Sequence, residues 1–323
     1  MRKACFNVLF LAILSLLPAV PTLAWDEVGH KITAYIAWQQ MTPDVRDRVI
    51  KLLIAAPEDS QLATFYLPYG SRSDEAKKRE FFMIAATWPD IIRERSFDTR
   101  YKKYHHSNWH YSDTFWTLKD GKVELLNAPE EGGLALEKII EFIRLESGNA
   151  KDADKALGIS WLEHLIGDIH QPLHASARVT PAEPKGDQGG NLFLLTPVGT
   201  PRDKQENLHW FWDSIVVRAD PNDKDQCDAD YLDPIARDIM KKYPLSKMES
   251  RLALGDPERW KRESFEIAST KVFPDDLKRN EMPSAAYKKA AMKIAEERMA
   301  LAGYRMGAIF NQVFGAPPAK PQV

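Results

Sequence analysis

The segment SWLEHLIGDIHQPLH, residues 160–174, sets three histidines and two carboxylates among leucines and isoleucines. On a helix, His164 and Asp168 stand one turn apart and project from the same face. Gly167, next to Asp168, lets another element approach closely. Pro172 ends or bends the helix, which frees His174 to turn back toward the same place. Imidazole and carboxylate at this spacing suit zinc. A buried His–Asp pair held by hydrogen bonds in a core has the same composition, and this segment alone leaves both readings open.

The chain has only eight histidines, and the others bear on the choice. His209 and Asp213 make a second pair at helical spacing in NLHWFWD. His30 lies near the N-terminus, His110 closes the cluster YHHSNWH, and Asp90 ends ATWPD. Two such pairs with further histidines around them are hard to obtain as core packing, and they favour a metal site.

Those side chains need rigid elements to hold them. Apolar spacing predicts helices over GHKITAYIAWQQM and PDVRDRVIKLLIAA, the latter after the cap signal at Thr42. Further helices are expected near 75–95, 133–147, 152–171, 205–219, 231–243, 257–270 and 283–314. One hairpin is expected around Asp120-Gly121, and LFLLT at 192–196 reads as a short strand. No βαβ alternation and no Pro/Gly/Ser linker divides the chain. The fold class expected is all-α: a single mostly helical domain with at most a small β-hairpin and long loops at 57–73, 96–108 and 178–206.

Composition narrows the setting. The 323 residues are 44% hydrophobic and carry a formal charge of −2, so bulk charge gives no reason to bind a polyanion. Any attraction must be local, or supplied by something the sequence does not encode. Residues 1–24 read as a signal peptide: Arg2 and Lys3, an apolar stretch, then Thr22-Leu23-Ala24. That stretch is too short for a comfortable membrane span. Cleavage after Ala24 leaves a domain of residues 25–323 beginning at Trp25, flexible from about 315, with Cys227 as its one cysteine. No intramolecular disulfide is then possible.

WDEVGH, ATWPDIIR, WHYSD, EHLIGDIHQPLH, GGNL, NLHWFWD and LAGYRMGAIFN occur here in this order. In these motifs the chain resembles the trinuclear-zinc, single-strand-specific nucleases of the S-one/P-one type, over residues 25 to about 314. Zinc-dependent phospholipases C are more distant relatives of the same fold. The resemblance implies three zinc ions at the bottom of a cleft. Asp90, His110, His164 and Asp168 match the ligands of the first, and His174, His209 and Asp213 those of the second. Trp25, through its α-amine and carbonyl oxygen, matches the third with His30, and Asp168 bridges the first and third. The amine of Trp25 exists only once Ala24 is removed, because a peptide nitrogen is a poor ligand.

The activity implied is endonucleolytic hydrolysis of single-stranded DNA and RNA to 5′-phosphate products, with 3′-nucleotidase activity. Its nucleophile would be a hydroxide shared by two zinc ions roughly 3.5–4 Å apart. Arg93 matches a family arginine that steadies transition-state charge. Asp113 matches an aspartate that pairs with that arginine or orients the attacking water. Asn191 matches an asparagine that reads an unpaired base edge. His170 and Glu163 read as supporting residues, and His105 and His106 as solvated loop residues. Pro89 stands where the family favours a small residue and restricts the backbone before Asp90. The absence of sequons and of any possible disulfide points to a bacterial, periplasmic or secreted member, taken as a monomer. Two other readings are a zinc-dependent phospholipase C and a periplasmic zinc-binding protein. The Asp213 ending of the second helix pair disfavours the first, and Arg93 beside the ligands disfavours the second.

Overall fold

The spacing-predicted helices form, and thirteen α-helices occur among the described residues, which are 25–128 and 131–315 of this computed structural model. The expected leader, residues 1–24, and the tail from 316 lie outside them. Among the described residues no helix is long and apolar enough to cross a membrane.

The helix Asp152–Asp168 is the axis of the fold. Every residue from Gly158 to Asp168 is buried, so it has no polar face and must be enclosed on all sides. Pro43–Ile54, Ala135–Ser147 and Ala285–Phe314 pack around it. As expected of Pro172, the helix stops ahead of it, and Pro172–Ala175 form a 3₁₀ turn.

The N-terminal helix Glu27–Gln40 lies along the thirty-residue C-terminal helix Ala285–Phe314. Gly303 and Gly307 make that contact possible. A β-carbon on Gly303 would come within 2.6 Å of Ile36 Cβ, and one on Gly307 within 2.8 Å of the Ala37 carbonyl oxygen. The LAGYRMG motif is therefore a groove that seats the helix bearing His30.

Strands Thr114–Lys119 and Lys122–Leu125 pair antiparallel around Asp120-Gly121, where both φ values are positive, as a tight hairpin turn requires. A third strand, Ser176–Arg178, joins in parallel. It is only three residues long and shows no alternation, so periodicity could not reveal it. It fastens the segment after His110 to the segment after His174. The stretch 192–196 makes only an isolated bridge, Leu194 to Asn207.

The polar interior explains His170. Its Nδ1 donates to the Ile166 carbonyl (2.7 Å), and Arg305 Nη1 lies 2.7 Å from its Nε2. Arg305 and Arg298 both pair with Glu263, at 2.9 and 3.0 Å. This network ties the C-terminal helix to Pro257–Ile267, beneath the turn that carries His174.

Glu146 is buried, and neither carboxyl oxygen finds a hydrogen bond. Burial pushes its pKa up to about 8, against the opposing charge of Lys155. Below about pH 4.5 both folded and unfolded chains hold this proton. Between there and about 8 only the folded chain holds it, so stability falls as pH rises through that window. Glu146→Gln should therefore gain on the wild type by up to about 1.4 kcal/mol per pH unit across it. Paired thermal melts at pH 5 and pH 8 measure this, and a difference that does not change with pH would refute it.

Candidate metal centre

The axial helix delivers His164 and Asp168 side by side, and the N-terminal helix brings His30 against them. A β-carbon on Gly167 would lie 2.9 Å from His30 Nδ1, so glycine is required there. The His30 and His164 rings stack at 3.9 Å, and His30 Nε2 sits 3.3 Å from Asp168 Oδ1. His110 Nδ1 and His164 Nε2 each lie 3.3 Å from Asp168 Oδ2. Asp90 enters from the other side, with Oδ1 at 3.7 Å from His164 Nε2 and 3.9 Å from His110 Nδ1. Pro89 occupies the opening turn of the short helix Trp88–Ile91, where its fixed φ fits.

The second group forms around Asp213. His209 Nε2 is 3.3 Å from Asp213 Oδ2, and His174 Nε2 is 3.9 Å from Oδ1. Gln171 Nε2 donates to Asp213 Oδ1 at 2.7 Å and fixes the carboxylate. Gly189, at φ 61°, supplies the carbonyl that receives His209 Nδ1, and a β-carbon there would strike the Leu173 carbonyl at 2.6 Å. The structure thus gathers three groups able to hold a metal ion: His30, His164 and Asp168; Asp90, His110 and His164; and His174, His209 and Asp213.

The hydrogen bonds behind these rings fix how the ligand atoms face. His164, His174 and His209 each direct Nδ1 at a backbone carbonyl, of Ala86 (2.8 Å), His110 (2.7 Å) and Gly189 (2.7 Å). A carbonyl oxygen only accepts, so each Nδ1 carries the proton and each Nε2 offers a lone pair: those of His174 and His209 face Asp213, and that of His164 faces Asp168 and, at 2.9 Å, His110 Nδ1. Lone pair against carboxylate is repulsive unless a cation lies between. Both oxygens of Asp168, Asp213 Oδ2 and His174 Nε2 are buried without a hydrogen bond, which fits the same conclusion. Burial holds His30, His110, His164 and His174 well below the ordinary histidine pKa, so they stay neutral and able to bind metal. The same burial pushes Asp168 and Asp213 up, and a divalent cation would offset the cost of ionising them. The donor set, imidazole nitrogen with carboxylate oxygen, fits zinc.

Trp25 is fully buried and packs on Gly29, where a β-carbon would lie 2.8 Å from Trp25 Cβ. Asp26 N donates to the Asp213 carbonyl oxygen at 3.1 Å, and Asp26 Oδ1 caps the N-terminal helix through Gly29 N. The start of the domain is thus pinned beside the second group.

His174 and His209 open onto a cleft of about 1180 Å³ that Arg93 and Asp113 also line. Arg93 Nη2 lies 3.1 Å from Asp90 Oδ1. Burial and the negative charge of Asp187 push the Asp113 carboxyl well up, with Lys261 opposing. Asn191 lies in the turn beside the cleft. Its Nδ2 donates to Gln188 O (2.7 Å) and its Oδ1 accepts from Asn207 Nδ2 (3.4 Å), so the side chain braces that turn. Glu163 is buried with both oxygens unbonded, and burial pushes its pKa up, so it packs as a neutral carboxyl.

Arg95, Lys185 and Arg202 join Arg93 on the cleft wall. Set against Glu131 and Glu183 on the same wall, they tip its local balance toward positive charge, and no run of basic residues signals them. Tyr111 lines the cleft as well, and Gly133 passes so close that a β-carbon would meet its ring at 2.5 Å. The Gly132-Gly133 pair was the available clue.

The S1/P1 nuclease family model matches residues 25–315. The chain belongs to the S1/P1 nuclease family. It is 24% identical to Nuclease S1 of Aspergillus oryzae over 313 residues, covering 92% of this chain and 94% of that protein. It is 22% identical to Endonuclease 5 of Arabidopsis thaliana over 312 residues, 92% of each. The nuclease is thus a hydrolase of phosphodiester bonds from a zinc-dependent family, and the donor groups described above could hold metal ions.

Proposed function

We propose that this nuclease is a secreted or periplasmic endonuclease that cuts single-stranded DNA and RNA to 5′-phosphate products, removes 3′-phosphates from nucleotides, and holds three zinc ions. The observation that carries this reading is the convergence of the three His/Asp groups behind a single cleft that Arg93 and Asp113 also line. In this reading Asp90, His110, His164 and Asp168 hold one ion, and His174, His209 and Asp213 a second. Trp25 and His30 hold a third with Asp168.

Zinc, when bound, supplies Lewis acidity to the attacking water and to the phosphodiester oxygens. The protein supplies the rest. Asp168 fixes the spacing of the imidazoles around it. Arg93, held by Asp90, directs its guanidinium toward non-bridging phosphate oxygens, whose charge grows in the transition state. Asp113, on the same cleft wall, orients the water by hydrogen bonding. Asn191 presents the turn at which a base edge is read.

The test is cleavage of matched single-stranded DNA, duplex DNA and RNA by the chain beginning at Trp25, with the product ends identified. Preference for single strands with 5′-phosphate ends supports the proposal. Equal cutting of duplex, or 3′-phosphate ends, refutes it.

A further inference from the structure

The stretch 96–108, expected as a loop, contains the helix Asp98–Tyr104, and it does more than connect. We propose that Arg95, Tyr101 and His105 form a stacking subsite on the cleft wall that holds a nucleobase flanking the scissile phosphodiester. The inference rests on the single-strand reading proposed above and names how an unpaired base would be recognised.

All three residues line the cleft that His174 and His209 open onto. The Tyr101 and His105 rings stack at 4.9 Å with 21° between their planes, and the Arg95 guanidinium lies 5.4 Å from the Tyr101 ring centre. Three flat groups thus come together where a single strand would pass. A base can extend such a stack on an aromatic face or a guanidinium plane only when it is not paired in a duplex.

The helix is anchored from behind, which orients the stack. Arg100 is buried and donates to Gln61 Oε1 (2.8 Å) and the Ile91 carbonyl (3.2 Å). Tyr104 Oη and Lys103 Nζ both reach Asp59, at 2.6 Å each. Residues 100 and 104 face inward one turn apart, so 101 and 105 fall on the adjoining face, toward the cleft. His105, expected as a solvated loop residue, is instead half-buried, and its Nδ1 is enclosed without a hydrogen-bond partner. Burial and the nearby Arg93 also hold the imidazole below its usual pKa, so it stacks as an uncharged ring at neutral pH.

The probe is a fluorescein-labelled thymidine tetramer with methylphosphonate linkages. These resist hydrolysis and carry no charge, so stacking is read without the phosphates. Its anisotropy is followed on the zinc-loaded chain, alongside an abasic tetramer of the same linkages. Tyr101→Leu keeps apolar bulk but removes the ring, and should weaken binding by roughly ten-fold or more. Tyr101→Trp should match or exceed the wild type, and the abasic tetramer should bind weakly to all three. Equal binding by the Leu variant, a Trp variant as weak as Leu, or no wild-type binding would overturn the subsite, provided zinc content and circular dichroism are unchanged. Cleavage of natural single strands by the wild type is scored separately. Wild-type cleavage without the Leu–Trp difference removes the subsite alone. Base-dependent binding without cleavage removes the single-strand nuclease reading and leaves the subsite standing.

Discussion

Asp168→Asn should lose phosphodiesterase activity by at least about a thousand-fold while the protein stays folded. The carboxylate sits 3.3 Å from His30 Nε2, from His110 Nδ1 and from His164 Nε2, so a single charge organises two of the three donor groups. Asparagine keeps the shape and removes the charge. Without metal, the buried carboxylate is a burden, because burial pushes its pKa well up. The variant's metal-free form should therefore melt no lower than the wild type's, while its zinc content falls. That pairing separates loss of the centre from loss of the fold. An Asp168→Asn protein with full zinc and near-normal cleavage would show that the carboxylate holds nothing.

An extra serine ahead of Trp25 should be nearly as damaging, for a different reason. The Trp25 ring is sealed in the core, and Asp26 is tied to the Asp213 carbonyl oxygen at 3.1 Å. The segment cannot slide to offer another nitrogen. A chain starting at Trp25 presents an amine whose reference pKa near ~8 makes deprotonation by a competing metal inexpensive. A Ser-Trp chain presents only an amide at that place. The expected result is loss of one zinc equivalent and a fall in cleavage of about a hundred-fold or more. Intact-mass spectrometry of the terminus, with metal analysis, decides it. Full zinc in a verified Ser-Trp chain would exclude the Trp25 amine as a ligand.

Much of the centre was legible because helical spacing is itself geometry. His164 with Asp168, and His209 with Asp213, must share a face wherever a helix forms, and both helices form. The groups missing from such arithmetic come from elements that only tertiary packing brings together. Asp90 reaches the centre because helix Trp88–Ile91 abuts the axial helix, a tertiary fact with no periodic trace. The strand Ser176–Arg178 and the half-buried His105 were hidden for the same reason. Arg298, Arg305 and Glu263 read as ordinary charges in amphipathic helices. Their pairing in the interior depends on His170 and on where two distant helices cross. The hairpin, by contrast, was local: Asp120-Gly121 specifies its turn by backbone sterics alone.

The most direct measurement is zinc per chain, by elemental analysis of the Trp25-terminated protein, taken together with cleavage of single-stranded DNA before chelation, after it, and after zinc is returned. Three equivalents are expected, with cleavage lost when they are removed and restored when zinc is returned. Cleavage that persists in chelator, or three retained zinc ions with no cleavage of any phosphodiester, would contradict a zinc-dependent nuclease built on these residues.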